Sequence, residues 1–255
     1  MTTASDTSEV VLVTGSAGRI GRAVVSELLA HGRRVRGFDR LPSYGLSDYV
    51  VADITDRAAI RHAMQHVRVV IHLAATPDDV AEPVRELFDP NIIGTFEVLE
   101  AARLAGVRRL LLASTGQVVW YQRERGPFPI RTTDPVTPRG WYAATKVFLE
   151  AAGRALAESA GMEVVVARLG WCPRTKEQVE EIRRTDWAQQ VYLSPADVGR
   201  FFKTAATCSL PSRYYVAFVT SRPHRYEILD LTPARQLGYS PQHTWPEGLP
   251  PELLD

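Results

Sequence analysis

The sequence predicts an α/β fold with a doubly wound parallel sheet and a small C-terminal substrate-binding part. Short runs of β-branched and aliphatic residues, such as residues 10–13, alternate with stretches whose apolar positions recur at helical spacing. This alternation is typical of βαβ units, and uninterrupted apolar runs are typical of strands buried on both faces. The chain has 255 residues, of which 45% are hydrophobic and 23% charged. We therefore interpret residues 1–255 as a single globular domain.

The individual elements follow from the same patterns. Strands are predicted at residues 10–13, 35–38, 49–52, 69–73, 107–113 and 164–168, and helices at 20–30, 56–65, 84–104 and 142–159. Gly32 and Gly161 follow the first and last of these helices, where glycine allows the left-handed conformation that ends a helix. Residues 120–138 contain four prolines and are predicted to form a surface loop. Residues 173–187 are predicted to be helical in part, and the proline-rich tail at 241–255 irregular.

Charge and cysteine content exclude several function classes. The formal net charge is +1 and no basic stripe stands out, so neither a nucleic-acid partner nor an anionic membrane is indicated. The apolar runs are too short to cross a bilayer, and the first nine residues lack the pattern of a signal peptide. Cys172 and Cys208 have no metal-ligand spacing and are typical of free thiols in a reducing compartment. We expect a cytoplasmic protein with a small-molecule substrate and no metal.

The first strand leads into a glycine-rich turn at the start of the first helix. Gly15, Gly18 and Gly21 lie in the segment Thr-Gly-Ser-Ala-Gly-Arg-Ile-Gly at 14–21. Such glycines allow a tight turn and a close approach of backbone to a pyrophosphate, which the helix N-terminus attracts. Asp39 ends the second strand, where its carboxylate can accept hydrogen bonds from ribose hydroxyls and repel a 2′-phosphate. The sequence thus predicts NAD as cofactor, although the neighbouring Arg40 could instead pair with the phosphate of NADP.

A second set of residues suggests proton transfer. Tyr142 and Lys146 lie four residues apart on one face of a predicted helix. A nearby ammonium group stabilises a phenolate, so the pair can supply a base from a side chain whose ordinary pKa is about 10. Ser114 and Thr115 end the fifth strand, where a hydroxyl would orient the oxygen of a substrate.

Together these motifs resemble the extended short-chain dehydrogenases/reductases, the NAD-dependent epimerase/dehydratase family. The resemblance covers nearly the whole chain and rests on TGSAGRIG at 14–21, Asp39, Asp53-Ile54, HLAA at 72–75, NIIGT at 91–95, ST at 114–115 and YAATK at 142–146. It implies a Rossmann fold with bound NAD, and it implies that Thr115, Tyr142 and Lys146, with Ser114 beside them, are catalytic. The implied cofactor-binding residues are Gly15, Gly18, Arg19, Ile20, Gly21, Asp39, Arg40, Asp53, Ile54, Leu73, Ala74, Ala75, Asn91, Tyr142, Lys146 and Leu169.

The resemblance also implies a role for Asn91 and a dimeric assembly. Asn91 would be a helix-kinking residue that supports the active site. A homodimer is expected, formed by the helices at 84–104 and 142–159 packed against their mates. Phe96, Leu99, Phe148 and Leu149 could contribute to that interface, or they could face the sheet.

Within this family, several segments look like uronate dehydrogenases. These segments are residues 91–94, 168–172, 192–197 and 236–241. The resemblance implies NAD-dependent oxidation of a small free sugar or sugar acid at C1 to a lactone, with substrate-binding elements mainly within 171–194 and 209–255. The implied substrate-binding residues are Thr76, Ser114, Thr115, Gly116, Gln117, Tyr142, Trp171 and Arg174. Trp187 and Tyr192 are further candidates for the pocket.

Two departures from the uronate dehydrogenase pattern bear on the substrate. Uronate dehydrogenases carry Ser-Ser-Asn-His where this chain has Ser-Thr-Gly-Gln at 114–117. The stretch after Cys172 is also longer than in uronate dehydrogenases, so the arginine that would hold a substrate carboxylate has three candidates, Arg174, Arg183 and Arg184. Two other functions stay open: a sugar epimerase or dehydratase that recycles its NAD internally, and a non-catalytic dinucleotide-sensing protein.

Overall fold

A parallel β-sheet forms the centre of the molecule. The computed structural model describes residues 9–43, 45–77 and 85–254. The strands within these residues are β1 (Val10–Thr14), β2 (Arg34–Asp39), β3 (Tyr49–Val51), β4 (Val67–His72), β5 (Arg109–Thr115), β6 (Glu163–Leu169) and β7 (Tyr214–Val219). They form one sheet of order β3-β2-β1-β4-β5-β6-β7, with every neighbouring pair parallel. The strand order reverses between β1 and β4, so a crevice opens at their carboxyl ends, where such sheets bind ligands.

Helices cover both faces of the sheet. Within the described residues they are α1 (Arg19–Ala30), α2 (Arg57–Ala63), α3 (Arg85–Phe88), α4 (Thr95–Leu104), α5 (Gln122–Arg125), α6 (Gly140–Ala160), α7 (Lys176–Arg184), α8 (Asp186–Gln190), α9 (Pro195–Thr207) and α10 (Thr232–Gln236). A π-helical segment (Asp89–Gly94) joins α3 to α4, and 3₁₀ turns occur at Gly116–Val119 and Pro251–Leu253. In the described part of the chain, no helix combines the length and apolar character that crossing a bilayer requires.

Alternate residues of each strand pack into opposite layers. Val11 and Val13 of β1 are buried against α1 and α9, whereas Leu12 is buried against the layer of α2, α4 and α6. This explains why the strands read as unbroken apolar runs, since both of their faces are covered. Helices α1 and α9 approach so closely that a Cβ on Gly199 would lie 2.9 Å from the carbonyl oxygen of Ala23. The doubly wound fold and the strands that the sequence predicts are confirmed, with bounds shifted by a few residues.

The structure differs from the sequence prediction in several places. The helix predicted at 84–104 is interrupted by the π-helical segment, and residue 84 lies outside the described residues. The predicted loop at 120–138 contains α5, and its Ile130 is buried and pairs with Leu229. The strand β7 and the helix α9 have no counterpart in the prediction. The tail is largely irregular as expected, but Trp245, Leu249 and Leu253 are buried in a small apolar cluster with Tyr192.

Candidate active site

The glycine-rich turn between β1 and α1 is built from backbone contacts that exclude side chains. Gly15 has a positive φ of 72° and donates its amide to the Phe38 carbonyl oxygen at 2.8 Å. A Cβ on Gly21 would overlap the carbonyl oxygen of Gly15, and a Cβ on Gly15 would lie 2.8 Å from the amide nitrogen of Ala74. The turn therefore leaves an open cradle in front of the α1 N-terminus, where Gly18 and Ile20 also lie. This cradle suits a pyrophosphate.

Arg19 extends the cradle with a guanidinium that is only partly hydrogen-bonded. Its Nη2 donates to the carbonyl oxygen of Cys172 at 2.6 Å. Its Nε and Nη1 are buried and find no hydrogen-bond partner in the described chain. Buried donors of this kind are rare unless a ligand satisfies them. The residues present therefore fit a dinucleotide, with Arg19 and the turn amides facing its phosphates.

The carboxylate at the end of β2 lies beside this turn. Asp39 accepts from the amides of Ala17 at 3.0 Å and Leu41 at 3.1 Å. The Arg40 side chain is exposed. Asp39 is thus held at the rim of the cradle next to β2, as a residue that binds a ribose would be.

Other predicted cofactor residues line the same edge of the sheet. The exposed Asp53 carboxylate accepts from Thr55, and hydrogen bonds from that residue lower the pKa of Asp53. Ile54 is buried and packs against Gly94 of the π-helical segment. Leu169 ends β6 and is aligned with Thr115 in the sheet.

The π-helical segment clamps the β4 edge to the helix α6. Asn91 accepts from the Thr76 amide at 2.8 Å and donates to the Thr76 carbonyl oxygen at 3.0 Å. Its amide also donates to the Thr145 hydroxyl at 3.2 Å, and that hydroxyl donates to the Tyr142 carbonyl oxygen at 2.7 Å. The half-buried Leu73, Ala74 and Ala75 are thereby held between the glycine turn and α6.

A buried histidine lies beneath this edge. The Thr14 hydroxyl oxygen accepts from the amides of Leu73 and Ala74, each at 3.3 Å, so its proton is directed to His72 Nδ1 at 2.8 Å. The ring proton is then on Nε2, which donates to Thr95 at 3.1 Å. Burial, and secondarily the charge of Lys146, lowers the pKa of His72 to about 3. His72 is therefore a neutral support of the site.

The predicted catalytic residues occupy neighbouring elements. Tyr142 and Lys146 lie one turn apart on α6, and Lys146 Nζ is 5.6 Å from the centroid of the Tyr142 ring. Lys146 is buried, and this burial lowers its pKa to about 8. Thr115 ends β5, and its hydroxyl oxygen accepts from the Gln117 amide at 3.2 Å. The arrangement provides a phenol, an ammonium group and a hydroxyl at the carboxyl edge of the sheet.

Ser114 faces the opposite side of β5 from Thr115. Its hydroxyl donates to Glu150 Oε1 at 2.5 Å, and Arg168 binds both oxygens of that carboxylate at 3.0 and 2.9 Å. Tyr214 donates to the Glu150 carbonyl oxygen at 3.1 Å. This buried network ties α6 to β5, β6 and β7. Sequence reasoning missed Glu150 and Arg168, although Glu150 lies one turn beyond Lys146 on the same helix.

Aromatic and basic side chains gather beyond the carboxyl ends of β5 and β6. We call Trp120, Arg123, Arg139, Trp171 and Trp187 the tryptophan–arginine cluster. Trp171 and Trp187 stack with ring centroids 5.9 Å apart, and Trp120 meets Trp187 edge-on at the same distance. The Arg123 guanidinium lies 4.1 Å from the Trp120 centroid and 3.9 Å from that of Trp187. Of these five residues, only Trp171 and Trp187 were predicted from the sequence to line the substrate pocket. The other three lie in the loop between Thr115 and Tyr142, whose basic and aromatic residues were the available sequence signal.

The remaining candidates for substrate contact lie at different depths. Gly116 begins the 3₁₀ turn and Gln117 follows it, both half-buried beside Thr115. Arg174 is half-buried just before α7. Arg183 and Arg184 are exposed on α7 and pair with Glu180 at 2.6 and 2.7 Å. The structure therefore brings neither of the last two to the sheet edge.

Comparisons with known proteins agree with this geometry. Residues 11–171 match the model of the NAD dependent epimerase/dehydratase family. An L-arabinose 1-dehydrogenase (NAD(P)(+)) of Haloferax volcanii is 33% identical over 247 residues, covering 91% of this chain and 96% of the relative. An NAD-dependent glucose-6-phosphate dehydrogenase of the same organism is 29% identical over 253 residues, covering 91% and 92%.

A solved structure described as a mutated uronate dehydrogenase aligns with a TM-score of 0.77 and 26% identity. It covers 92% of this chain and 82% of its own. The two sequence relatives are dehydrogenases, which favours the dehydrogenase prediction over the epimerase alternative. The chain belongs to the NAD dependent epimerase/dehydratase family, and it is an NAD-dependent oxidoreductase of the extended short-chain dehydrogenase/reductase type.

Proposed function

We propose that the protein oxidises a small free sugar or sugar acid at C1 to the corresponding lactone. The observation that carries this proposal is the placement of Tyr142, Lys146 and Thr115 at the sheet edge beside the dinucleotide cradle. Relatives aligned over about nine-tenths of the chain support a free monosaccharide or its phosphate as substrate.

The proposed mechanism assigns one task to each side chain. Bound at the glycine turn, NAD supplies a hydride acceptor. Thr115 donates a hydrogen bond to the C1 hydroxyl oxygen and orients it toward the Tyr142 phenol. Tyr142, as phenolate, takes the hydroxyl proton while C1 loses its hydrogen with the bonding electron pair. The positive charge of Lys146 stabilises the phenolate and lets it form at neutral pH.

We assign substrate recognition to the elements around this edge. The segments 171–194 and 209–255, which are predicted to hold the substrate-binding elements, contribute Trp171 and Trp187 and the buried tail around Trp245. Thr76, Gly116, Gln117 and Arg174 are the further proposed contacts. Indole faces suit the apolar C–H faces of a sugar ring, while hydroxyls and amides bind its oxygens.

The proposal is tested by following NADH formation with free uronic acids, neutral aldoses and sugar phosphates. We expect stoichiometric NADH and a lactone product for at least one free sugar. Tyr142→Phe should abolish turnover and leave NAD binding, measured by calorimetry, nearly intact. Retained turnover in this variant would refute the assigned role of Tyr142. Interconversion of sugar epimers without net NADH would refute the dehydrogenase proposal itself.

We also propose a homodimer formed through the helical layer of α4 and α6. Leu99 and Leu149 are buried against the sheet, whereas Phe96 on α4 is 48% exposed. Ile93, three residues before Phe96, and Trp141, at the start of α6, are also exposed. Light scattering should give twice the chain mass for the wild type and the monomer mass for Phe96→Glu. A monomeric wild type at micromolar concentration would contradict the proposal.

A further inference from the structure

The tryptophan–arginine cluster contains polar atoms that the chain itself leaves unsatisfied. Trp120 Nε1 and Arg123 Nη1 are buried and have no hydrogen-bond partner in the described residues. The same is true of the Thr137 hydroxyl, whose backbone amide donates to the Val118 carbonyl oxygen at 2.7 Å. Burying a donor without a hydrogen-bond partner is costly, and such donors are rare in proteins unless a ligand or water satisfies them. Three of them on one loop suggest a polar ligand that satisfies them.

The cluster also carries an excess of positive charge. The Arg123 guanidinium packs against both the Trp120 and the Trp187 ring, and the Arg139 guanidinium lies 4.7 Å from the Trp120 centroid. The acidic group beside Arg123 is Glu124, at 4.0 Å, and its side chain is 57% exposed. An exposed carboxylate at this distance is a weak partner. The cluster therefore favours an anionic group.

The cluster is close to the reacting groups. Trp120 follows the 3₁₀ turn that begins beside Thr115, which places it roughly 10 Å along the chain from that residue. Arg139 immediately precedes α6 and is three residues before Tyr142. Trp171 is two residues beyond Leu169, which is aligned with Thr115 in the sheet. The cluster is therefore carried by the same segments that carry Thr115 and Tyr142.

We propose that Arg123, supported by Arg139, binds an anionic group at the end of the sugar remote from C1. The substrate class is thus an acidic sugar, either a uronic acid or a sugar phosphate, rather than a neutral aldose. This inference rests on the proposed function. Arg123 can hold the anion in place because two indoles pack against its guanidinium, and its unsatisfied Nη1 supplies a donor.

The test compares two pairs of sugars that differ in charge at the far end, namely galacturonate with galactose and glucose 6-phosphate with glucose. The kcat/KM of each is measured at saturating NAD for the wild type, Arg123→Gln and Arg139→Gln. Arg125→Gln is the matched control, because Arg125 is exposed on the same short helix. The wild type should prefer the acidic member of at least one pair. The preferred pair identifies a carboxylate or a phosphate as the anion.

In Arg123→Gln the acidic-to-neutral ratio of kcat/KM should fall about 10- to 100-fold, as expected for loss of one charge-assisted hydrogen bond. Arg123→Lys should retain part of the preference, and Arg125→Gln all of it. A wild type that prefers neutral sugars, or a ratio unchanged in Arg123→Gln, would overturn the inference. Circular dichroism verifies that each variant is folded.

Failure of the proposed function has a different signature. If the wild type oxidises none of the four sugars, the oxidation proposal fails, and tryptophan fluorescence still reports binding at the cluster. Quenching by galacturonate or glucose 6-phosphate that is absent with the neutral sugars and lost in Arg123→Gln supports the anion site. Equal or absent quenching with all four refutes it.

Discussion

The buried imidazole of His72 makes a quantitative prediction about stability. Protonation would require Nδ1 to donate to the Thr14 hydroxyl oxygen, which already accepts two amide hydrogens. The pKa of His72 falls from 6.5 to about 3 because the ring is buried and Lys146 is near. Between these values the unfolded chain binds a proton that the folded protein does not. The free energy of unfolding is therefore not reduced by this residue above pH 6.5, and it decreases as the pH falls toward 3.

The size of the effect follows from the shift. One pKa unit corresponds to about 1.4 kcal/mol, so at about pH 5 the wild type should have lost about 2 kcal/mol through this residue. His72→Asn cannot titrate and lacks this pH-dependent loss. Urea unfolding of both proteins at about pH 7.5 and about pH 5 measures the difference. The free energy of unfolding of the wild type minus that of His72→Asn should be smaller by about 2 kcal/mol at the lower pH.

The same pair of measurements for His31→Asn, which changes an exposed imidazole, provides the control. A wild-type advantage over His72→Asn that is identical at both pH values would refute the argument. It would mean that His72 takes up a proton equally well in the folded protein.

Three further predictions concern the site. Lys146→Met should lower kcat at neutral pH about 100-fold and move the rise of the pH–rate profile toward about 10, the pKa of an ordinary phenol; an unshifted profile would contradict this. Asp39→Asn keeps an acceptor for Ala17 but removes the charge, so the NADP-to-NAD ratio of kcat/KM should rise about 10-fold in steady-state assays with both cofactors. Glu150→Gln leaves Arg168 buried without its anion and should lower the free energy of unfolding by about 3 kcal/mol in urea; a change under about 1 kcal/mol would count against the buried network.

The sequence was most informative where local pattern and global fold agree. The run at 10–13 followed by Gly15, Gly18 and Gly21 predicts strand, turn and helix, because the positive φ of Gly15 and the contact of Gly21 with the Gly15 carbonyl oxygen belong to that unit. Tyr142 and Lys146 are recognisable for a similar reason, since their spacing alone places them on one helix face.

Interactions between distant segments were not predictable from spacing. Glu150 and Arg168 meet only because α6 lies across β6, and a single sequence contains no signal for that pairing. The strand β7 was missed because residues 209–255 were assigned to substrate-binding elements, although Tyr-Tyr-Val-Ala-Phe-Val at 214–219 is as long as β2. The π-helical segment was interpreted as a continuous helix because its widened turn depends on the contacts of Asn91 with Thr76 and Thr145.

Ser114 and Thr115 illustrate how one residue step along a strand separates two effects of mutation. Successive side chains of a strand point to opposite faces, so chemically similar neighbours take part in different contacts. In a deep mutational scan that reports abundance and activity separately, substitutions of Ser114 should reduce abundance by disturbing Glu150. Substitutions of Thr115 that keep its size, such as Thr115→Val, should reduce activity at nearly normal abundance. The two hydroxyls would thus fall into separate phenotypic classes, although the sequence places them side by side.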